Sequence, residues 1–215
     1  WPIRVVSDDP HRLYRTVRVG ADLEVFILDT RQYRSRNVDQ DGPAKTMLGE
    51  KQLQWLLTGL AESTATWKVI VTSVPLSIPK GGGASVSGND GWAGGLGAPG
   101  FERERQVLVD HILGRKLKNV VFLAGDVHYV QANEYDPNGD GTPDFHEFIA
   151  GPLSAAPGRL TMPNAALRPT TLINESGYYN FGLVRVTGSS FDVTVLDDSG
   201  GTRFSHRLSS RSPSE

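Results

Sequence analysis

The sequence predicts an α/β fold with mixed sheets and a β-rich C-terminal region, and three observations carry that reading. A leucine-striped helix, a β-branched run, a glycine-rich loop, a second helix and a second β-branched run follow one another, which is the order of a parallel-sheet unit with helices outside it. Beyond Asp126 helical periodicity gives way to short β-rich segments between turn signals. With 38% apolar and 21% charged side chains in 215 residues, the chain can fill one sizeable core, and its length exceeds one average domain without reaching two.

Taken in order, residues 14–19 alternate like a strand, and residues 23–28 form a second apolar run after the turn Gly20-Ala21-Asp22, so the pair reads as a hairpin. Leu53, Leu56, Leu57 and Leu60 fall at i, i+3, i+4 and i+7, placing one apolar stripe on a helix over residues 50–60. Residues 67–71 (WKVIV) read as a buried strand. The glycine-rich stretch 80–100 has no periodicity, matches neither a P-loop nor a dinucleotide fingerprint, and reads as a mobile flap in which Trp92 anchors the loop or lines an entrance, the anchor being favoured. Helix 101–113 follows, with Glu102 and Glu104 at its start and Arg115, Lys116 and Lys118 near its end, matching the helix dipole. Residues 119–124 are another buried strand. The later strands are expected at 129–135, 147–150, 181–186, 191–196 and 203–208, with a fraying tail over 209–215.

Charge and composition exclude several classes. Lys plus Arg number 22 and Asp plus Glu 24, a net charge of −2, so no overall basic field is present to hold nucleic acid. No apolar run approaches the roughly 20 residues that span a bilayer. The absence of cysteine removes disulfides, thiolate metal ligands and a cysteine nucleophile. Because the chain starts at Trp1 with no initiator Met, further sequence upstream is expected.

The sharpest chemical signal is Leu123-Ala-Gly-Asp126-Val-His128, where a buried strand delivers a carboxylate and an imidazole to a sheet edge. Held extended, Asp126 and His128 would share a face about 6 to 7 Å apart and could reach one metal or two adjacent ones. The plainer alternative is a turn-capping Asp and an edge His. Arg31 and Arg34, flanking Tyr33 just past the second strand, are the candidates for gripping anionic oxygens, with an exposed basic turn as the alternative. Arg105 reads as the structural partner of a carboxylate. His11, His111, His146 and His206 lack partner spacing and read as surface or structural residues.

The ordered strings Leu28-Asp-Thr-Arg-Gln-Tyr-Arg34, Gly49-Glu-Lys-Gln-Leu-Gln-Trp-Leu56, Trp67-Lys-Val-Ile-Val71, Glu104-Arg105, Asn119-Val-Val-Phe-Leu-Ala-Gly-Asp-Val-His128 and Glu147-Phe148 together resemble the alkaline phosphatase D (PhoD-like) metallophosphatases. The resemblance runs from about residue 12 to 208 and covers the C-terminal half of that family's catalytic domain. It implies residues 1–208 of a single four-layer αββα domain, and a dinuclear metal site, iron and calcium, hydrolysing phosphate monoesters or diesters. Asp126 and His128 take the place of metal ligands, and the other ligands belong to an N-terminal portion of the same protein. Thr72-Ser73-Val74-Pro75 stands where the wider superfamily often places a ligand. The resemblance also implies an exported, extracellular or cell-envelope protein. Phospholipid, phytate, nucleotide and teichoic acid head groups would all suit an Arg-plus-metal site.

A separate motif, Asp136-Pro-Asn138-Gly-Asp140-Gly141 followed by Asp144 and Glu147, fits the calcium-loop spacing, with oxygen donors at positions 1, 3, 5, 9 and 12 and glycine at 6. It lies between strands where an EF-hand has helices. A solvated acidic turn is the alternative, and Glu147 has a second reading in which it faces the active site. A calcium-binding, β-rich module without catalysis, or an inactive fragment of a nicked enzyme, is the functional alternative.

Overall fold

The computed structural model describes residues 9–79, 89–95 and 97–212. Two antiparallel strands, β1 (Arg15–Val19) and β2 (Leu23–Ile27), form the expected hairpin. Helix α1 (Glu50–Glu62), strand β3 (Trp67–Val71), helix α2 (Glu102–Gly114) and strand β4 (Val120–Ala124) follow, and then β5 (Val130–Tyr135), β6 (Phe145–Ile149), β7 (Pro169–Glu175), β8 (Asn180–Val186), β9 (Ser190–Asp197) and β10 (Thr202–Ser209). A seven-stranded sheet has the order β1-β2-β3-β4-β6-β5-β7, with β2, β3, β4 and β6 mutually parallel. The remaining strands build an antiparallel three-stranded sheet, β10-β9-β8.

Side-chain alternation sorts the core into two layers. Phe26, Ile70, Phe122 and Phe145 face Leu56 and Leu60 of α1 and Leu108 and Ile112 of α2. Their neighbours Val69, Val121 and Phe148 face Phe191 and Val193 of β9 and Leu208 of β10. The Trp67 indole spans the second interface: its Nε1 donates to Thr187 O at 2.9 Å and its ring lies 5.4 Å from Phe191. Helices, mixed sheet and second sheet are therefore three consecutive layers of the expected αββα sandwich.

The departures from expectation are local. β6 starts two residues before the expected 147, because Phe145 already fills the helix-side core. β7 has no counterpart in the sequence reading. It opens on Pro169, and as the edge partner of β5 it tolerates a residue without an N–H. The tail does not come loose at Ser209, which ends β10. Arg211 N donates to Asn119 Oδ1 at 2.7 Å and Asn119 Nδ2 returns a bond to Arg211 O at 3.0 Å, a reciprocal clamp. Residues 213–215 lie outside the described residues. No helix is long and apolar enough to cross a membrane among the described residues.

Candidate metal and phosphate site

The parallel strands all end on one edge of the large sheet, where α/β sheets gather ligand-binding loops. Three backbone bonds prolong their register past the strand ends: Leu28 N to Val71 O at 2.9 Å, Thr72 N to Leu123 O at 3.0 Å and Ala150 N to Ala124 O at 3.3 Å. The loops 28–34, 72–79, 125–129 and 150–160 therefore start from a common, rigid rim.

Asp126 and His128 sit on the β4–β5 connection, and the extended geometry expected for them is not adopted. Both have left-handed backbones, φ 73° and 62°, around a Val127 whose N–H folds back to Gly125 O at 2.9 Å. Such conformations strain residues that carry a Cβ and persist only where the surroundings enforce them, typically at functional sites. Here the enforcement is visible. Val127 and Tyr129 are buried with Ile78 and Ile149, and Gly158 N donates to His128 O at 2.7 Å. His128 Nδ1 lies 3.0 Å from Ala156 O. A carbonyl can only accept, so Nδ1 carries the proton and the exposed Nε2 keeps a lone pair for a metal.

The half-buried Asp126 carboxylate is a donor that iron or calcium accepts, and the exposed His128 imidazole is one that suits iron and not calcium. Among the described residues no third His, Asp or Glu joins Asp126 and His128 closely enough to complete a cage. Thr72 and Ser73 add none, because Thr72 Oγ1 accepts from Trp92 Nε1 at 3.2 Å and donates to Val74 O, while the Ser73 and Thr30 hydroxyls bond each other. The described residues thus fit part of a coordination sphere, not a whole dinuclear one.

Arg31 and Arg34 lie on the neighbouring loop, which Asp29 and Gln52 lock in place. Buried Asp29 accepts the N–H groups of Arg31 and Gln32 on Oδ1 at 2.9 and 3.0 Å, and Gln52 bonds both Asp29 N and Asp29 O at 2.8 Å. Both arginines turn to Asp90, Arg31 Nη2 to its Oδ2 at 3.6 Å and Arg34 Nη1 to its backbone oxygen at 3.1 Å. Burial, and then the charge of Arg31, lower the pKa of Arg34. Tyr33 is turned elsewhere. Its hydroxyl donates to Asp9 Oδ2 at 3.1 Å, and burial together with that bond pushes its pKa up to about 12. Trp92, 1% exposed, anchors residues 89–95 of the stretch expected to be a flap, whereas its residues 80–88 and 96 lie outside the described residues.

The acidic loop 136–144 closes the β5–β6 hairpin on its own backbone. Asp136 accepts Gly139 N, Asp140 N and Gly141 N, and Asn138 Nδ2 donates to both Asp140 and Asp144 at 3.1 Å. Glu147 does not join it. Three strand steps beyond Asp144, about 10 Å, it lies fully buried on the helix side, with Oε1 accepting Leu76 N at 2.8 Å and Oε2 accepting Tyr135 OH at 2.6 Å. A cation among Asp136, Asn138 and Asp140 would lack its twelfth-position ligand. Arg105, 2% exposed, donates to Leu76 O at 2.7 Å and lies near enough to Glu147 to oppose the rise that burial imposes on its pKa.

One cluster escaped the sequence reading. Glu134, His146 and His206 place one donor atom each within 4.8 Å of the others. Sixty residues separate the two histidines in sequence, and only the packing of β10 over β6 brings them together. No local spacing could have signalled it.

The chain is similar to known phosphatases. A family model described as PhoD-like phosphatase matches residues 1–195. Alkaline phosphatase D of Bacillus subtilis (strain 168) is 33% identical over 142 residues, covering 59% of this chain and 23% of that protein. Among solved structures, PhoD superposes with a TM-score of 0.70 at 22% identity, covering 99% of this chain and 47% of the other. Purple acid phosphatase PPD1 from yellow lupin (Lupinus luteus) seeds gives 0.56 at 15% identity, covering 96% and 34%. The chain therefore spans about a quarter of the curated relative and about half of the solved PhoD chain. With the family model matching most of its length, the chain belongs to the PhoD-like phosphatase family.

Proposed function

We propose that this chain supplies one wall of the active site of a metal-dependent phosphoric ester hydrolase. The observation that carries the reading is the strained, enforced turn that presents Asp126 and His128 at the C-terminal edge of the parallel strands. Bound iron and calcium would supply charge to a phosphoryl group and acidify a coordinated water. This chain's own part is to hold them through the Asp126 carboxylate and His128 Nε2, with the Ala156 carbonyl fixing the imidazole tautomer.

Arg31 and Arg34 bind the ester's anionic oxygens. Arg31 faces the Asp90 carboxylate and Arg34 only the Asp90 backbone oxygen, so the pair carries one uncompensated positive charge and gains from a phosphate placed between them. Tyr33, protonated to about pH 12, supports their loop and does not act as a nucleophile. The remaining metal ligands belong to an N-terminal portion of the same protein.

The test uses the longer protein containing this chain, loaded with iron and calcium and assayed on aryl phosphate mono- and diesters. Asp126→Asn and His128→Ala each lower kcat/KM by about 100-fold or more, the loss expected when a metal or its orientation goes. Arg31→Ala with Arg34→Ala raises KM more than it lowers kcat. Wild-type rates in the Asp126 and His128 variants would refute the assignment.

A further inference from the structure

We propose that Glu134, His146 and His206 form a second metal site, for zinc or a neighbouring late first-row divalent ion, which ties the two sheets together away from the Asp126 turn. Glu134 and His146 are directly paired across β5 and β6, and both point to the side of the large sheet that meets β9 and β10. His206 comes from β10, opposite Val193, whose side chain faces the same interface. The site is therefore composite: two donors on one sheet and the third on the other.

The geometry is near that of a coordination sphere. Glu134 Oε1 and His146 Nε2 stand 3.5 Å apart. Tetrahedral bonds of about 2.0 to 2.1 Å place donor atoms about 3.3 Å from each other, so this pair already has a metal's spacing. The third donor, from His206, lies within 4.8 Å of the other two. Two imidazoles and a carboxylate are also the mixed nitrogen and oxygen set that zinc accepts with one position left open.

Two further features favour a cation over a simple hydrogen bond. The side chains of His146 and Glu134 are only 13% and 25% exposed, so both donors are largely withdrawn from competing water. The three residues also open onto a cavity of about 560 Å³ that contains Asp144, whose Oδ2 is shielded from water without a hydrogen-bond partner among the described residues. Lys118, Arg207 and Arg211 line the same cavity. Arg207 is paired with Asp192 and Arg211 with the Pro143 carbonyl, and their charge favours an anion such as chloride in the open position.

His146 is paired with Val121 in β4, three strand steps or about 10 Å from the strand's end at Ala124, and the Asp126 turn lies beyond that end. A cation here would hold sheet to sheet and leave the Asp126 turn untouched. Its binding is therefore independent of the proposed hydrolysis.

The chain is stripped with chelator, dialysed and titrated with zinc chloride by calorimetry, with thermal unfolding followed in parallel. Wild type and the Asp126→Asn/His128→Ala double variant both retain one equivalent at this site, and zinc raises the Tm of both. His206→Asn and His146→Ala each weaken that equivalent by about 100-fold, since disturbing even the outer shell of such sites costs 10- to 100-fold. Glu134→Gln, which keeps the shape of a part-exposed side chain, weakens it about 10-fold with an unchanged far-ultraviolet circular dichroism spectrum. A cobalt-loaded sample shows a visible spectrum that His206→Asn alters. Absence of zinc binding in wild type, or an equivalent unaffected by Glu134→Gln and His206→Asn, overturns the proposal.

Discussion

Glu147 has no water contact, yet it carries an ionisable carboxyl between Leu76 N, Tyr135 OH and the charge of Arg105. Burial outweighs these partners and raises its pKa to about 7, whereas in the unfolded chain it titrates near the ordinary 4.5. A raised carboxyl pKa means the folded state holds the proton more tightly. The contribution is fully present below about pH 4.5, declines as pH rises, and is gone above about pH 7. Glu147→Gln mimics the protonated form, so its Tm relative to wild type improves as pH rises from 4.5 to 7 and levels off beyond. Melting curves at four or five pH values check this, and a parallel pair of Tm profiles would contradict it. Gly158 makes a second prediction at this scale. A Cβ there would lie 2.1 Å from Val127 O and 3.2 Å from His128 Cβ, against the turn itself. Gly158→Ala should cost about 1–3 kcal/mol by overpacking and displace Asp126 and His128. Urea unfolding measures the first effect, and loss of metal affinity in the longer protein the second.

At the scale of elements, Trp92 connects a loop to the sheet. Its buried ring fills the helix-side core and its Nε1 bonds Thr72 just past β3, which fixes the backbone on which Asp90 meets Arg31 and Arg34. Trp92→Ala should cost about 3–5 kcal/mol by cavity formation. Trp92→Phe keeps most of the packing and removes the bond, at about 1 kcal/mol. If both raise KM for phosphate esters in the longer protein, the loop positions the arginines through its anchor; a KM unmoved by Trp92→Ala would separate the two. This anchor was legible in the sequence, as were both helices and the strands of the parallel unit, because leucine stripes and β-branched runs report burial locally. β7 was not. Its Pro169 start and threonines resemble a loop, and only pairing with β5 makes it a strand. The Asp126 and His128 pair was legible as residue types at a sheet edge, but their geometry was not. A left-handed backbone is imposed by Val127 burial and by Gly158 from thirty residues away, which no local rule reads.

For the whole molecule the decisive contact is between sheets. Among the described residues no helix packs on β8, β9 and β10, and their apolar side is buried by lying on Trp67, Val69, Val121, Ala132 and Phe148 of the large sheet. Phe191 is fully buried at the centre of that interface and stacks obliquely on Trp67 at 5.4 Å. This dependence is also why the Glu134, His146 and His206 cluster was invisible in the sequence: it exists only once the second sheet has docked. If the small sheet is stable solely through this interface, it cannot unfold as a separate unit. Phe191→Ala should then remove about 3–5 kcal/mol from one cooperative transition. At about 2–4 °C per kcal/mol for a chain of this size, the Tm falls by roughly 6–20 °C. Calorimetry and near-ultraviolet circular dichroism should give coincident midpoints in wild type and variant alike. Two resolved transitions in Phe191→Ala, with the smaller melting first, would show instead that β8–β10 form a unit merely leaning on the large sheet.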